Sequence, residues 1–272
     1  MMHTRHPVAS LLAACLLAGC GSTPKSTEPP RQEINLSEQS AAARPPIVAD
    51  DQQRAKVHTD LGIAYLRDGR IEVALSEAQL AVDMLGSYAP AHNLLGLIHM
   101  SLRQNEQAEG YFRRAVSLAP NNPEIANNYG WFLCQTGKIK ESFGYFDQVL
   151  RNPLYKTPAV VLNNMGICAL MDRDDVNGES YLSRSLKLDP GNLRAYYLLA
   201  EVDYRRGLYD EAKDWLAKLH KRIEPTSETI WLLLRIDRKR GDREAELRGN
   251  SLLRQKFRDS PEYQQLMRGV FD

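Results

Sequence analysis

Apolar and small residues recur along the chain at intervals of about 34 positions. Counting from Gly130, the same position holds Gly96 and Gly62 in the preceding units and Gly166 in the following one. Within each unit the apolar positions keep a helical period on both sides of a glycine or polar turn. This pattern predicts an array of helical hairpins.

The units share small residues at two positions, which indicate where two helices cross closely, because larger side chains would hold the backbones apart. The sixth unit departs from this, since Leu234 stands at the small position and Ala245 lies one residue early. It is expected to form a divergent hairpin that caps the array. The predicted units lie near 55–88, 89–122, 123–158, 159–192, 193–226 and 227–260, with a terminal helix at 261–272. The predicted hairpin core consists of Leu61, Leu95, Tyr129, Met165, Phe112, Phe146 and Leu182.

These offsets resemble those of the tetratricopeptide repeat, in which each repeat is a pair of helices. The resemblance implies an all-α fold, a right-handed superhelical solenoid of about six hairpins that spans residues 49–272. First helices line the concave face of such a solenoid, so side chains on them are the candidates for partner binding.

The amino-terminal sequence has the features of a secretory signal. Residues 1–19 carry Arg5, a short apolar run and small residues before Cys20. The ending LAGC resembles the bacterial lipobox, which implies cleavage before Cys20 and its acylation, for example with palmitate. Gly21 in place of an aspartate implies the periplasmic face of the outer membrane of a Gram-negative bacterium. An ordinary signal with a cysteine at its cleavage site is the alternative. Residues 20–48 are predicted to be a flexible linker.

Composition and motifs exclude several classes of function. The formal net charge is +1 and no polybasic block occurs, so no nucleic-acid partner is expected. No H-E-x-x-H, G-x-S-x-G or phosphate-binding loop is present, and His92 and His99 lie about 10 Å apart along one predicted helix, too far to share a metal. The sequence therefore predicts a protein that is not an enzyme, with no cofactor, metal or small-molecule substrate.

Two cysteines remain after Cys15 and Cys20 are assigned to the signal and the anchor. Cys134 and Cys168 fall near the ends of first helices in consecutive units, which pack side by side. In an oxidising periplasm they can form a disulfide. Two buried free thiols are the alternative.

A ladder of amides is predicted on the concave face, at the fifth position of units two to four, where Asn93, Asn127 and Asn163 stand. Such amides can bind the main chain of an extended peptide, because each offers a donor and an acceptor. Alternatively, they bond to each other or to neighbouring helix ends.

An apolar stripe accompanies these amides at the ninth and twelfth positions. An apolar stripe along a helix usually belongs to the core. A second apolar stripe, on a different face of the same helices, is a candidate binding patch. The stripe consists of Ile63, Leu97, Met100, Trp131, Ile167 and Leu170. In units five and six the groove positions change in character from apolar to charged and aromatic residues, which are Arg194, Tyr197, Glu201, Tyr204, Arg205, Trp231 and Arg235. The insertion RNPLYKTP between units three and four is either a tolerated loop or an exposed contact through Leu154 and Tyr155.

The lipobox, the linker, the repeats and the segments NNYGWFLCQTG and NPLYKTPAVVLNNMGICAL together resemble the type IV pilus biogenesis and stability lipoproteins, the PilF/PilW family. This resemblance implies a pilotin, which binds the subunit of the type IV pilus secretin and promotes its localisation and multimerisation in the outer membrane. A periplasmic adaptor lipoprotein that recruits peptidoglycan hydrolases or other envelope enzymes is the alternative.

Overall fold

The computed structural model describes residues 47–271, and this part of the chain consists of thirteen α-helices without strands. The predicted signal peptide, Cys20 and the linker as far as residue 46 lie outside the described residues. No helix within 47–271 combines the length and the apolar character needed to cross a membrane. The helices are α1 Ile47–Arg67, α2 Ile71–Met84, α3 Ala89–Ser101, α4 Asn105–Leu118, α5 Pro123–Gln135, α6 Ile139–Leu150, α7 Pro158–Met171, α8 Asp175–Leu188, α9 Leu193–Arg205, α10 Tyr209–His220, α11 Ser227–Arg240, α12 Arg243–Lys256 and α13 Pro261–Arg268.

The first twelve helices pair in sequence order into six hairpins, α1 with α2 through to α11 with α12. Each hairpin also packs on the next one along the chain. First helices of consecutive hairpins contact each other in four pairs, α1 with α3, α3 with α5, α5 with α7, and α9 with α11. The short helix α13 packs on both helices of the sixth hairpin. The result is a solenoid whose first helices line one continuous face.

Glycines on the first helices allow the two helices of a hairpin to cross closely. A Cβ atom added to Gly96 would lie 2.8 Å from ring atoms of Phe112, and one added to Gly130 would lie 2.8 Å from Phe146 Cε1. Both rings are fully buried. The small residue of the first helix therefore receives the large residue of the second, as the sequence period indicates.

The sixth hairpin reverses this arrangement of small and large residues. Leu234 stands on α11 where the other hairpins have glycine or alanine, and Gly249 on α12 accommodates it. A Cβ atom on Gly249 would lie 3.3 Å from Leu234 Cβ. The exchange preserves the total side-chain volume at the crossing, so the divergent sequence still forms a hairpin.

The turn between the two helices has the same backbone conformation in all six hairpins. The fifteenth residue of each unit lies in this turn and has a positive φ, which is 74° at Gly69 and 75° at Gly241. Arg103 and Arg173 adopt the same left-handed conformation, with φ of 59° and 61°. Glycine adopts this region readily whereas other residues are disfavoured there, so the hairpin geometry prevails over local preference at the two arginines.

One prediction at the amino-terminal end needs correction. Leu61, predicted to belong to the core, is 43% exposed, because no described hairpin precedes α1 and covers that side. Helix α1 begins at Ile47, two residues before the predicted start of the solenoid, a difference within the usual range for a helix end. The other predicted core residues, from Leu95 to Leu182, are buried.

Candidate protein-binding groove

The six apolar residues predicted to form a groove lie on α1, α3, α5 and α7, and all are half-buried. Leu97 and Met100 pack on the buried cluster that contains Phe112 and Tyr129. Trp131 packs on the next cluster, around Cys134. These side chains therefore contribute to the packing between hairpins and still expose part of their surface. The stripe comprises Ile63, Leu97, Met100, Trp131, Ile167 and Leu170.

The predicted amide ladder is engaged in hydrogen bonds between hairpins. Asn128 donates from Nδ2 to Asn93 Oδ1 at 3.2 Å, and Asn164 donates to Asn127 Oδ1 at 3.1 Å. Asn127 in turn donates to Asn128 Oδ1 at 3.4 Å, which links hairpins two, three and four. Asn127 is only 7% exposed. Each of these acceptors therefore already has one partner within the protein, as expected if the amides bond to each other, and peptide binding by the ladder stays a prediction.

The side-chain oxygen of Asn163 is likewise occupied, at the contact between the fourth and fifth hairpins. It accepts a hydrogen bond of 2.7 Å from Nδ2 of Asn192, the residue that caps α9. The partners Asn128, Asn164 and Asn192 were not predicted from the sequence. The doubled asparagines at 127–128 and 163–164, one repeat apart, were the signal that could have revealed them, since each pair faces the neighbouring hairpin on both sides.

A disulfide joins Cys134 on α5 to Cys168 on α7, with their Cα atoms 5.8 Å apart. Both residues are fully buried, and Met171 Sδ lies 3.9 Å from Cys134 Sγ. Because Trp131 packs on the same cluster, the disulfide joins the first helices of hairpins three and four next to this residue of the stripe.

The histidines do not form a metal site in the described part of the chain, where no group of three or more potential ligands converges. His92 is buried and its Nε2 lies 2.9 Å from the carbonyl oxygen of Gly86. His99 stacks on Tyr111 and bonds to Gln104. These contacts are structural.

The face of hairpin five is polar and aromatic, as the sequence indicates. Tyr197 donates to Glu201 Oε1 at 3.2 Å, beside a surface cavity that Arg194 and Glu228 also line. Burial, reinforced by the carboxylates of Glu201 and Glu228, raises the pKa of Tyr197 well above its ordinary value. The hydroxyl therefore stays protonated and remains a hydrogen-bond donor at every physiological pH.

Trp231, predicted to face the groove of hairpin six, is covered. It is 7% exposed and stacks on Phe271, with ring centroids 5.5 Å apart. Arg235 donates from Nε to the Phe271 carbonyl oxygen at 2.8 Å, and its guanidinium lies over the ring of Tyr204. Trp231 therefore does not face an open groove, because the segment after α13 folds back onto α11.

The inserted loop between α6 and α7 divides into an exposed and a packed part. Leu154 is 84% exposed, whereas Tyr155 packs on the cluster that contains Phe146. Asn152 Oδ1 accepts a hydrogen bond of 3.0 Å from the backbone N–H of Leu154 and stabilises the turn. Leu154 is thus the residue of this loop that offers apolar surface.

Comparison with known proteins agrees with this architecture. Two tetratricopeptide repeat family models match the chain, one at residues 59–123 and 93–153 and the other at residues 177–235. The type IV pilus assembly protein PilF of Pseudomonas aeruginosa is 23% identical over 208 residues, which cover 76% of this chain and 82% of PilF.

Solved structures extend the comparison to three dimensions. The crystal structure of PilW, described as a widely conserved type IV pilus biogenesis factor, is 30% identical with a TM-score of 0.74. The alignment covers 78% of this chain and 98% of PilW. The structure of Pseudomonas aeruginosa PilF is 21% identical with a TM-score of 0.72, covers 81% and 99% of the two chains, and shows the same fold.

Proposed function

Because this chain belongs to the PilF/PilW family of tetratricopeptide repeat proteins, we propose that it acts in type IV pilus biogenesis as a pilotin. In this role it binds the subunit of the pilus secretin and promotes its delivery to the outer membrane and its multimerisation there. The observation that carries the proposal is the stripe of half-buried apolar residues on the first helices of hairpins one to four. Such a patch offers an apolar segment of an unassembled subunit a place to bind.

The dimensions of the stripe suit an extended segment of a partner. Packed helices lie about 8 to 10 Å apart, so four consecutive first helices place the stripe over about 27 Å. At about 3.3 Å per residue, an extended segment of about eight residues spans that distance. The stripe can therefore cover several apolar side chains of a subunit at once and shield them until assembly.

A lipid anchor at Cys20 completes the proposed mechanism. More than one acyl chain gives stable membrane attachment, whereas a single chain is marginal. With the anchor in the outer membrane, residues 20–46 tether the solenoid, and a captured secretin subunit stays at high local concentration near its site of assembly. Binding, shielding and tethering suffice for this role, and no chemical step is part of it.

Deletion of the gene, followed by separation of the two membranes and gel analysis of the secretin, tests the proposal. Loss of secretin multimers, or their retention in the inner membrane, is expected, with recovery when the full chain is supplied. Unchanged multimers in the outer membrane contradict the pilotin and favour the adaptor of envelope enzymes, for which secretin assembly is independent of this protein.

A Cys20→Ser variant with the same signal sequence separates binding from anchoring. It is expected to bind the secretin subunit and to fail in placing multimers in the outer membrane. Recovery of normal multimers by this variant would show that the anchor is dispensable. The wild-type full chain expressed at the same level is the matched control.

A further inference from the structure

The segment that follows α13 occupies the groove face of the sixth hairpin. Helix α13 ends at Arg268, and Gly269 turns the chain with a left-handed φ of 68°. Two backbone bonds close the helix end, from the N–H of Gly269 to Leu266 and from the N–H of Val270 to Gln265. The chain then places Phe271 on α11.

The three side chains that hold Phe271 stand at the unit positions that line the concave face elsewhere. Trp231, Arg235 and Arg238 are the fifth, ninth and twelfth residues of the sixth unit. In the fourth unit these positions carry Asn163, Ile167 and Leu170. The same surface that is open along the earlier hairpins is therefore filled by the chain itself at the last one.

The contacts define the chemistry of this place. The indole of Trp231 stacks on the Phe271 ring, and the guanidinium of Arg238 lies 3.9 Å from the centre of that ring. Arg235 donates to the main-chain carbonyl oxygen at 2.8 Å. Stacking, a cation over the ring and a donor for the main chain together recognise an aromatic residue in a peptide segment.

Phe271 packs against the buried cluster that contains Trp231 and Leu253, whereas the two residues before it are exposed. Val270 is 48% exposed, and a Cβ atom on Gly269 would meet no atom within 4 Å. An open cavity lined by Arg254, Tyr263 and Met267 borders Phe271, so the ring has room to leave. We propose that Trp231, Arg235 and Arg238 form a second peptide site, for an aromatic residue in an extended segment of a protein partner, and that Phe271 fills it until displaced. This proposal does not depend on which partner the apolar stripe binds.

The experiment uses the natural occupant as its probe, a fluorescein-labelled peptide QLMRGVFD with the sequence of residues 265–272. Fluorescence anisotropy compares its binding to the full chain and to a chain that lacks residues 269–272. The shortened chain is expected to bind the probe at least about tenfold more tightly than the full chain. This ratio is expected if Phe271 leaves the site empty in no more than about one full-length molecule in ten, because only those molecules can bind the probe. A probe with alanine in place of its phenylalanine, and an Arg235→Ala variant of the shortened chain, are both expected to abolish binding.

Failure of the folded shortened chain to bind the probe, or equal binding to the full chain, overturns the proposal. If the shortened chain does not fold, native-state hydrogen exchange of the wild-type chain decides. Amides of Gly269 and Val270 that open independently of α11 and α12 support a displaceable segment. Opening only together with α11 shows a fixed structural cap and overturns the proposal.

Discussion

The side-chain amide of Asn164 donates to the side-chain oxygen of Asn127 at 3.1 Å and joins the fourth hairpin to the third. Because Asn127 also donates to Asn128, which donates to Asn93, four amides form one chain across three hairpins. A repeat protein is stabilised by its interfaces between neighbours as well as by each repeat, so these bonds contribute to the cooperativity of the array.

Asn127→Ala is expected to lower the free energy of unfolding by about 1 to 3 kcal/mol, because it leaves Asn164 without its acceptor in a partly buried place. Urea unfolding followed by circular dichroism measures the loss. In a double-mutant cycle with Asn164→Ala, the two losses should be less than additive. Strict additivity would show that the two amides do not interact.

Replacing Cys134 and Cys168 with serine is expected to lower the melting temperature. A disulfide that closes a sequence separation of 34 residues stabilises the fold by about 4 kcal/mol in the chain-entropy account. For a domain of this size the corresponding shift is on the order of 10 °C. Calorimetry with and without dithiothreitol checks this, with the double serine variant as the control that must not respond to the reductant. A wild-type chain that is equally stable under both conditions would contradict the prediction.

Gly96→Ala and Gly110→Ala form a matched pair of substitutions. At Gly96 a methyl group would press on the buried ring of Phe112, so a loss of about 1 to 3 kcal/mol is expected. Gly110 lies in the middle of α4 with no atom within 4 Å of its added Cβ, so alanine should stabilise it by up to about 1 kcal/mol. Thermal unfolding of both variants tests the close crossing, and effects of the same sign would argue against it.

If the chain binds the secretin subunit as proposed, Leu97→Glu is expected to weaken that binding at least about tenfold, a change of about 1.4 kcal/mol, because it places a charge in the apolar stripe. Leu80→Glu is the control, since Leu80 is exposed on α2, the second helix of its hairpin. Titration calorimetry with the mature chain measures both, and circular dichroism verifies that each variant is folded. Undiminished binding by the Leu97 variant would place the contact elsewhere.

The buried carboxyl of Asp203 is expected to make the free energy of unfolding depend on pH. It is 2% exposed, its Oδ2 accepts from Trp215 Nε1 at 3.0 Å, and its Oδ1 has no partner. Burial, and to a lesser extent the nearby Glu179 carboxylate, raise its pKa in the folded state above the unfolded value of about 3.9. The folded state then binds more protons than the unfolded state, so this group makes stability fall as pH rises from about 4 through the raised pKa.

The test of this dependence is Asp203→Asn, which keeps an acceptor for Trp215 and removes the titration. Relative to the wild type, the variant should gain stability as pH rises through that window and level off above it. Urea unfolding at several pH values measures the difference between the two chains. The opposite slope, with the variant losing stability relative to wild type on raising the pH, would mean that Asp203 is stabilised in its ionised form by Arg206.

The sequence by itself determined the architecture within the hairpins that keep the regular period. The period places Gly96 opposite Phe112 and Gly130 opposite Phe146, and these pairs are separated by only 16 residues. Contacts of this kind depend on the helical repeat and on one short turn, both of which are local properties of the chain. The side-by-side placement of Cys134 and Cys168 follows from the same period, one unit apart.

Only the tertiary structure decided which surfaces the stacked hairpins leave open. Asn127 has its partner in the next hairpin, Leu61 is exposed because nothing in the described structure precedes it, and Trp231 is covered because Phe271 returns to α11. The exchange of size between Leu234 and Gly249 likewise appears only when the two helices are brought together. A repeat pattern specifies the residues that each unit contributes to its contact with a neighbouring unit of the same kind. The ends of the array and the polar contacts between hairpins depend instead on which neighbours each unit meets in space.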